Sequence, residues 1–381
     1  MPKPTHNIEA HFGNTTDPRD GNLSHPLLSV IAITILASVC NADGWTEVEL
    51  FGQSKQKWLE TFLDLPHGIP SHDTFGRVFR VIDPEEFRES FRSWTRALCE
   101  KAEGVVAIDG KTVRRSKDGV LGKRAIHMVN VWAVDNGLAL AQEKVDDKTN
   151  EITVIPALIE LLELEGSIVT IDAMGCQTNI AQTIIDQQAD YVLAVKDNQP
   201  TLWKDLADSF AHIPPNAAIA HHRTVNKGHG RIEVRECWVT ADPETLAFVN
   251  DYKTWPGLTS LVKVTSQRQE NNTRSRETRY FISSLPPDAE LLLRCIRAHW
   301  QIENSLHWVL DMAFREDESR VRKGHAAQNL AVLRQLTLNL LKQDTSVKAG
   351  IVAKRKRAGW DHNYCSACSV RPKCDCPVSG R

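Results

Sequence analysis

The stretch SIVTIDAMGCQ, residues 167–177, ends an apolar run with a carboxylate, Asp172, and small residues follow it directly. A short apolar run bounded by turn residues is typical of a buried β-strand. Aspartate is also common where strands stop, because its side chain caps turns, so this residue alone does not define a site. The stretch therefore predicts a strand, and the question is whether a second acid meets Asp172.

The segments around this stretch alternate between strand-like and helix-like patterns. Short Gly- and Asp-bearing turns separate the strand-like runs, and helical periodicity falls between the later ones. In chain order the segments are GVVAIDGKTVRRS (104–116), IHMVNVWAV (126–134), LALAQEKV (138–145), the helical TVIPALIELLE (153–163), SIVTIDA (167–173), the helical NIAQTIIDQQ (179–188) and YVLAVKD (191–197). The order βββαβαβ predicts a mixed α/β domain.

Asp109 ends the first of these strands as Asp172 ends the fourth. If the first strand is central, the fourth can lie parallel beside it, and the two carboxylates become neighbours. Two converging carboxylates raise each other's pKa, and a hard divalent cation reverses that penalty. Two carboxylates are too few ligands for an oxygen-rich cation site, so the pattern predicts a third acid.

Glu303 is the candidate for that third acid. After residue 205 the pattern changes to short, basic, β-rich segments, and LPPDAELLLRCIRAHWQIENSLHWVLDMAF (285–314) then predicts a long helix that Asp288 caps. On this helix Glu303 shares an apolar and aromatic stripe with Cys295 and Leu306. A core-facing carboxylate needs a partner because its burial alone is costly, and metal coordination would supply one.

Composition and charge limit the function classes. The 381 residues are 41% hydrophobic, which is ample for a packed core, and the formal net charge is -2. The charge is uneven, because residues 312–381 hold 14 Lys and Arg against 6 Asp and Glu. That excess indicates either a nucleic acid or anionic surface near this end, or a solvated helix face.

No membrane anchor or signal peptide is expected. The apolar run PLLSVIAITILASVC (26–40) is shorter than the ~20 residues that span a bilayer, so we expect a buried helix. Cysteines scattered through apolar segments are typical of reduced thiols, and together these features predict a cytoplasmic protein.

Three other patterns in the sequence are typical of different kinds of site. DGKT (109–112) is not a phosphate-binding loop, because position 105 is Val where that motif requires Gly. His299, Glu303 and His307 follow i, i+4, i+8 spacing, which leaves a zinc hydrolase site as an alternative, although the H-E-x-x-H order is lacking. At the C-terminus four cysteines could bind zinc, but an unstructured tail is favoured: Cys365, Cys368, Cys374 and Cys376.

Several segments together resemble one family. The sequence is similar to bacterial insertion-sequence transposases of the ISAs group and to H-repeat-associated proteins in AIDGKTVRRS, KTNEITVIPALIELLELEGSIVTIDAMGCQTNIAQTI, ADYVLAVKDNQP, HGRIEVR, RYFISSL and HWQIENSLHWVLD. The segment DGWTEVELFGQSKQKWLETFLDLPHGIPSHDTFGRVF resembles the N-terminal domain of the same group. The resemblance extends from about residue 17 to about Tyr364.

The resemblance implies an α/β fold, a ribonuclease-H-like mixed-sheet catalytic core with a β-rich insertion. It also implies an acidic triad of Asp109, Asp172 and Glu303 that binds two Mg²⁺ or Mn²⁺ ions, hydrolyses phosphodiester bonds at the element ends and transfers the freed 3′-hydroxyl into target DNA. The implied partners are the terminal inverted repeats, target DNA and a second copy of the chain. The alternative function is a catalytically silent or domesticated DNA-binding remnant.

Five segments are expected on this basis. They are an N-terminal helical domain (1–103), the first part of the core (104–205), the basic insertion (206–285), the C-terminal core helices (286–345), and a basic, then Cys-rich, unstructured tail (346–381).

Seven residues are predicted to contact DNA: Arg114, Arg115, Lys117, Lys196, Arg231, His299 and His307. Where the broader transposase class has Tyr, Arg and Lys near its glutamate, this chain has Ile296, His299 and Leu310, so those phosphate contacts do not carry over.

Overall fold

The N-terminal part of the chain is helical. The computed structural model describes residues 5–370 except 22, 100, 118–121, 123, 147–149, 213–216, 229 and 271–272. Asp83 and Pro84 begin one of the helices as expected, since the Asp83 carboxylate accepts hydrogen bonds from the amides of Glu85 and Glu86. The helices are α1 (Thr5–Phe12), α2 (Leu27–Val39), α3 (Trp45–Leu59), α4 (His72–Val81) and α5 (Pro84–Leu98).

The first five strands confirm the predicted mixed sheet. Their spatial order is β3-β2-β1-β4-β5, with β1 antiparallel to β2 and parallel to β4. This is the ribonuclease-H-like arrangement that the sequence resemblance implies. The strands are β1 (Val105–Thr112), β2 (His127–Ala133), β3 (Leu138–Val145), β4 (Ile168–Ile171) and β5 (Asp190–Val195), and the helices α6 (Glu151–Glu160) and α7 (Thr178–Asp186) connect the later ones.

The basic insertion extends this sheet. The strand β9 pairs antiparallel with β5, so the nine strands of the described residues form one sheet in the order β3-β2-β1-β4-β5-β9-β8-β7-β6. The reason is that β5 would otherwise be an unpaired edge, and the buried end of β9, Tyr280–Ser283, covers it. The inserted elements are α8 (Pro200–Ala211), β6 (Ile219–Gly228), β7 (Arg231–Thr240), α9 (Pro243–Tyr252), β8 (Ser260–Glu270) and β9 (Thr273–Ser283).

Two long helices follow, and one of them joins the halves of the molecule. The elements are α10 (Ala289–Ile302), a five-residue π-turn (Glu303–His307), α11 (Trp308–Phe314) and α12 (Ala326–Gln343). In α12, Asn329 donates to the carbonyl oxygens of Phe79 and Ile82, and Asn339 both donates to and accepts from the backbone of Ala139 on β3. The α12 helix therefore fixes the N-terminal helices relative to the sheet.

The apolar run 26–40 forms the buried helix α2, in which every residue except Leu28 is buried. Among the residues that the structure describes, no helix is both long enough and apolar enough to cross a membrane.

The expectation of an unstructured tail is wrong as far as residue 370. Residues Ile351–Trp360 form α13 and His362–Val370 form α14, and Cys365 and Cys368 are buried. The pattern was missed because buried cations hold α13 in place rather than an apolar stripe. Cys374 and Cys376 lie outside the described residues.

Arg355 on α13 is the central cation of this arrangement. Its side chain is fully buried, and it donates to the carbonyl oxygens of Ser38, Ala42 and Ala313 and to the Asp43 carboxylate, 2.7 Å away. Four acceptors from two distant parts of the chain therefore depend on one guanidinium.

We predict that Arg355→Met lowers the free energy of unfolding by about 3 kcal/mol, because it leaves these buried acceptors without a donor. The control is Lys356→Met, which changes an exposed cation on the same helix. Urea denaturation of the full chain would measure both variants. Equal stability of the two variants would contradict the role assigned to Arg355.

Candidate active site

Parallel pairing of β1 with β4 places the two aspartates side by side. Ile108 pairs with Ile171, so Asp109 and Asp172 are the next residues on adjacent strands, as predicted. The loop-capping interpretation of Asp172 is also correct, since its carboxylate accepts a hydrogen bond from the Met174 amide at 3.1 Å. Asp172 therefore begins a turn and faces the cavity at the strand ends.

Glu303 reaches the same place from the C-terminal helices. The helix α10 packs across β1, β4 and β5, and Glu303 is the first residue of the π-turn that follows. A cavity of about 290 Å³ is lined by Asp109, Asp172 and Glu303 together. Glu303 is exposed at this cavity, so the expectation that it faces the core is wrong. Because the Glu303 carboxylate is exposed, it needs no buried partner.

The electrostatics of the cavity centre on Asp109. Burial raises the pKa of Asp109 to about 7, and the negative charges of Asp172, Glu151 and Glu303 add to the increase. The negative charge of the ionised Asp109 carboxylate is therefore poorly balanced by its surroundings at neutral pH. The cavity offers carboxylate oxygens, which are the ligands that hard divalent cations prefer.

The acids share a cavity but do not form a closed cage. Among the described residues, no group of three His, Cys, Asp or Glu side chains lies close enough together to hold a metal ion unaided. An ion at this place would need further oxygen ligands from outside the protein.

Glu151 is a fourth acid that the sequence analysis did not single out. It lies in the first turn of α6, forms a short hydrogen bond with Nε2 of His127 on β2, and contributes to the raised pKa of Asp109. The position of Glu151 explains why residue 110 is a glycine. A Cβ on residue 110 would lie 2.1 Å from Glu151 Oε1 and 2.7 Å from His127 Nε2. Glu151 lies in KTNEIT, just before the helix predicted over residues 153–163, and nothing in that pattern marks it as a site residue.

The predicted DNA-contacting cations fall in three places. Lys196 is exposed and lines the acid cavity. Arg114, Arg115 and Lys117 are exposed in the turn after β1, where Arg114 Nε lies 3.2 Å from Asp317. Arg231 lies outside the cavity, on a second groove described below. Their contact with DNA stays a prediction.

The two predicted histidines are largely withdrawn from solvent. His299 borders the cavity, its Nδ1 is 3.1 Å from the Thr170 hydroxyl, and burial lowers its pKa. Burial also lowers the pKa of His307 to about 3, and the charge of Lys111 acts in the same direction. Both rings are therefore neutral and offer a phosphate no positive charge.

The structure gives no support to the other motifs. Lys111 of DGKT is buried and its Nζ lies 2.7 Å from Asp311, while β1 continues to Thr112, so no phosphate loop forms there. His299 and His307 hydrogen-bond to different partners, Thr170 and Asn130, rather than facing one ion.

A second groove, of about 570 Å³, lies between α10 and strands β7–β9. It meets the acid cavity at Arg279, Ile296 and Trp300. We call it the arginine groove because five arginines line it against two glutamates: Arg231, Arg235, Arg268, Arg279 and Arg297, with Glu233 and Glu277.

Arg235 and Arg279 are ion-paired with Glu233 and Glu277, at 2.6 and 2.7 Å, but two features of the arginine groove still favour an anion. Burial lowers the pKa of Arg235, with the charge of Arg297 acting in the same direction, and its buried Nη1 has no hydrogen-bond partner. The Arg279 guanidinium lies 5.1 Å from the ring centre of Trp300, which is 47% exposed. A cationic wall beside an exposed indole can contact both phosphate and a base.

A ribonuclease-H-like sheet with three acids at one cavity defines the class of the protein, and sequence comparison identifies the family. The family model described as "Transposase DDE domain" matches residues 100–340, and the model "DDE_Tnp_1-associated" matches residues 9–95. The chain belongs to the DDE transposase family.

Its relatives cover nearly its whole length. "Putative transposase YncI" of Escherichia coli O157:H7 is 40% identical over 91% of this chain and 90% of its own. "H repeat-associated putative transposase YhhI" of Escherichia coli K12 is 37% identical over 90% of this chain and 92% of its own. A piggyBac transposase synaptic complex with hairpin DNA is a remote structural neighbour, with a TM-score of 0.41, 11% identity and coverage of 96% of this chain and 76% of that chain.

We predict that Asp109→Asn stabilises the metal-free protein at pH 8 by at most about 4 kcal/mol. The folded pKa of about 7 exceeds the ordinary value of 3.8, so the folded state binds more protons between these values. This residue therefore makes folding less favourable as the pH rises from 3.8 towards 7.

Urea denaturation in EDTA would compare wild type with Asp109→Asn at pH 4 and at pH 8. The difference should be much smaller near pH 4, where Asp109 is protonated in the folded state and only partly ionised in the unfolded state. The exposed Glu163→Gln serves as the control and should show no such difference. A wild type as stable as Asp109→Asn at pH 8 would contradict the raised pKa.

Proposed function

We propose that this chain is an active DNA transposase that cleaves phosphodiester bonds at the ends of an insertion sequence and joins the freed ends to target DNA. The observation that carries the proposal is the shared cavity of Asp109, Asp172 and Glu303, in which the Asp109 charge is poorly compensated. Divalent cations bound at such a site would stabilise the ionised carboxylates and remove their mutual repulsion.

Within this proposal Asp109, Asp172 and Glu303 would be the protein ligands of two Mg²⁺ or Mn²⁺ ions at the cavity. Bound ions of this kind activate the attacking oxygen and stabilise the leaving oxygen of an in-line displacement. Lys196, which is exposed at the same cavity, would hold the scissile phosphate. The neutral His299 can donate or accept a hydrogen bond there without adding charge.

The proposed reaction has two steps. In the first, water attacks the phosphorus at the element end, the bond from phosphorus to the 3′-oxygen breaks, and the element keeps a 3′-hydroxyl. In the second, that hydroxyl oxygen attacks a phosphorus of target DNA and displaces the target's own 3′-oxygen, so one phosphodiester bond replaces another. Neither step needs a covalent intermediate with the protein.

The arginine groove supplies the proposed path for the DNA beside the cleaved bond. It opens into the acid cavity, and its excess of arginines complements the phosphate backbone. A phosphate oxygen would also give the buried Arg235 Nη1 the acceptor that it lacks. The turn bearing Arg114, Arg115 and Lys117 is a second proposed contact, on the other flank of β1.

The alternative is a silent DNA-binding remnant. One shorter relative carries the name "Inactive transposase YbfQ" and is 36% identical over 18% of this chain. The complete set of acids at the cavity supports the active form. DNA binding without any metal-dependent cleavage would favour the remnant.

We predict that Asp109→Asn, Asp172→Asn and Glu303→Gln each reduce cleavage by at least about 100-fold, since each removes a proposed metal ligand. DNA affinity should change little. Gel assays with Mn²⁺ on a duplex containing the genomic sequence that flanks the reading frame would measure both properties. Glu163→Gln, an exposed acid outside the cavity, should cleave like wild type. Wild-type rates in any triad variant would contradict the assignment.

We predict that Arg235→Gln and Arg297→Gln weaken DNA binding and each reduce the slope of log K against log salt by about 1. Fluorescence anisotropy at several salt concentrations would measure the slope. Arg276→Gln is the matched control, because alternate residues of β9 (Ser275, Glu277 and Arg279) line the groove and Arg276 faces the other side of the strand. An equal loss in the control would mean that the arginine groove is not the DNA path.

A further inference from the structure

His307 ends a chain of buried amide side chains that the proposed mechanism does not yet use. Gln335 on α12 donates from Nε2 to Asn130 Oδ1 at 2.6 Å, and Asn130 Nδ2 lies 3.2 Å from His307 Nε2. The three side chains belong to α12, β2 and the π-turn, and each is no more than 8% exposed. Buried side-chain networks of this kind fix the orientation of their members.

The hydrogen bonds determine which nitrogen of His307 carries the proton. Asn130 Nδ2 also lies 3.3 Å from the carbonyl oxygen of Met128, which can only accept, so this end of the amide must be the NH₂ group. The same NH₂ group therefore donates to His307 Nε2. Since a neutral imidazole has one acceptor nitrogen and one donor nitrogen, the proton is on Nδ1.

The protonated nitrogen faces the central acid of the site. His307 Nδ1 lies 3.6 Å from Asp109 Oδ2, so it is the ring nitrogen nearer to this carboxylate although the distance is beyond a normal hydrogen bond. The ring is attached to the π-turn, which begins at Glu303. Such π-turns are rare and occur frequently at functional sites.

We propose that Gln335, Asn130 and His307 form a positioning chain that orients the Asp109 carboxylate for metal binding by presenting the Nδ1–H group of His307 to Oδ2. The inference rests on the proposed function and assigns His307 a role toward Asp109 in place of contact with DNA. Groups that orient a metal ligand commonly change metal affinity or activity by 10- to 100-fold when they are removed.

Two substitutions of His307 separate this role from a merely structural one. In His307→Asn the side-chain amide occupies roughly the place of Nδ1, so a donor to Asp109 is retained and the contact with Asn130 is lost. In His307→Gln the amide occupies roughly the place of Nε2, so the contact with Asn130 is retained and the donor to Asp109 is lost. If His307 positions Asp109, His307→Asn should keep the higher Mn²⁺ affinity. If its role is only structural, His307→Gln should keep the higher affinity.

Asn130→Asp provides a test that leaves the histidine in place. A carboxylate at position 130 can only accept, so a neutral His307 must carry its proton on Nε2 and turn a lone pair toward Asp109. The side chain keeps its size, and the cost of the change is a carboxylate oxygen that faces the Met128 carbonyl oxygen.

We predict that His307→Gln and Asn130→Asp weaken Mn²⁺ binding to the full chain by about 10- to 100-fold, while His307→Asn stays within about threefold of wild type. Calorimetric titration with Mn²⁺ in the absence of DNA would measure affinity, and thermal melting would confirm that each variant folds. Greater loss in His307→Asn than in His307→Gln, or unchanged affinity in Asn130→Asp, would overturn the inference. Asp109→Asn separates the two proposals. If this variant binds Mn²⁺ as tightly as wild type, Asp109 is not a metal ligand and the proposed function itself is contradicted.

Discussion

The parallel pairing of two short strands places like charges where they repel each other. Ile108 lies beside Ile171, so the chain must continue into Asp109 and Asp172 at the same edge of the sheet. Burial and these neighbouring charges raise the pKa of Asp109 to about 7. The site is therefore destabilising for the empty protein, and the proposed cations would relieve the repulsion. The rest of the structure maintains this arrangement, since α10 brings Glu303 to the acids and α12 fixes β3 through Asn339.

The surrounding scaffold limits how the site can relax. Gly110 leaves the space that the Glu151 and His127 side chains occupy, and Asn130 fills the floor between β2 and α12. Glu151 is hydrogen-bonded to His127, and Asn130 is hydrogen-bonded to Gln335. These buried groups therefore offer the Asp109 carboxylate few alternative hydrogen-bond partners. A carboxylate held in this way binds a cation with little reorganisation, which is the usual requirement of a metal-assisted reaction.

The sequence predicted much of the sheet because its signals are local. The strand end at Asp172, the βββαβαβ order and the candidate third acid Glu303 follow from periodicity and turn residues. The predicted strand end at Asp109 is wrong, because β1 continues past it to Thr112 and pairs there with β2. Non-local features were missed. Nothing near β9 shows that it must cover the edge of β5, nothing in α13 shows that Arg355 will meet carbonyl groups about 40 and 310 residues away in sequence, and Glu151 resembles an ordinary helix-start acid. The exposure of Glu303 was mispredicted because helical periodicity does not show that a cavity opens beside this end of α10.

The measurement that tests the central claim most directly is the pKa of Asp109 in solution, followed by carbon NMR of selectively labelled aspartate in the full chain with and without Mg²⁺. Asp109→Asn would identify the resonance. The account predicts a pKa of about 7 in the absence of metal, falling by several units when Mg²⁺ is added. A pKa near the ordinary 3.8 without metal, or one that Mg²⁺ leaves unchanged, would contradict it.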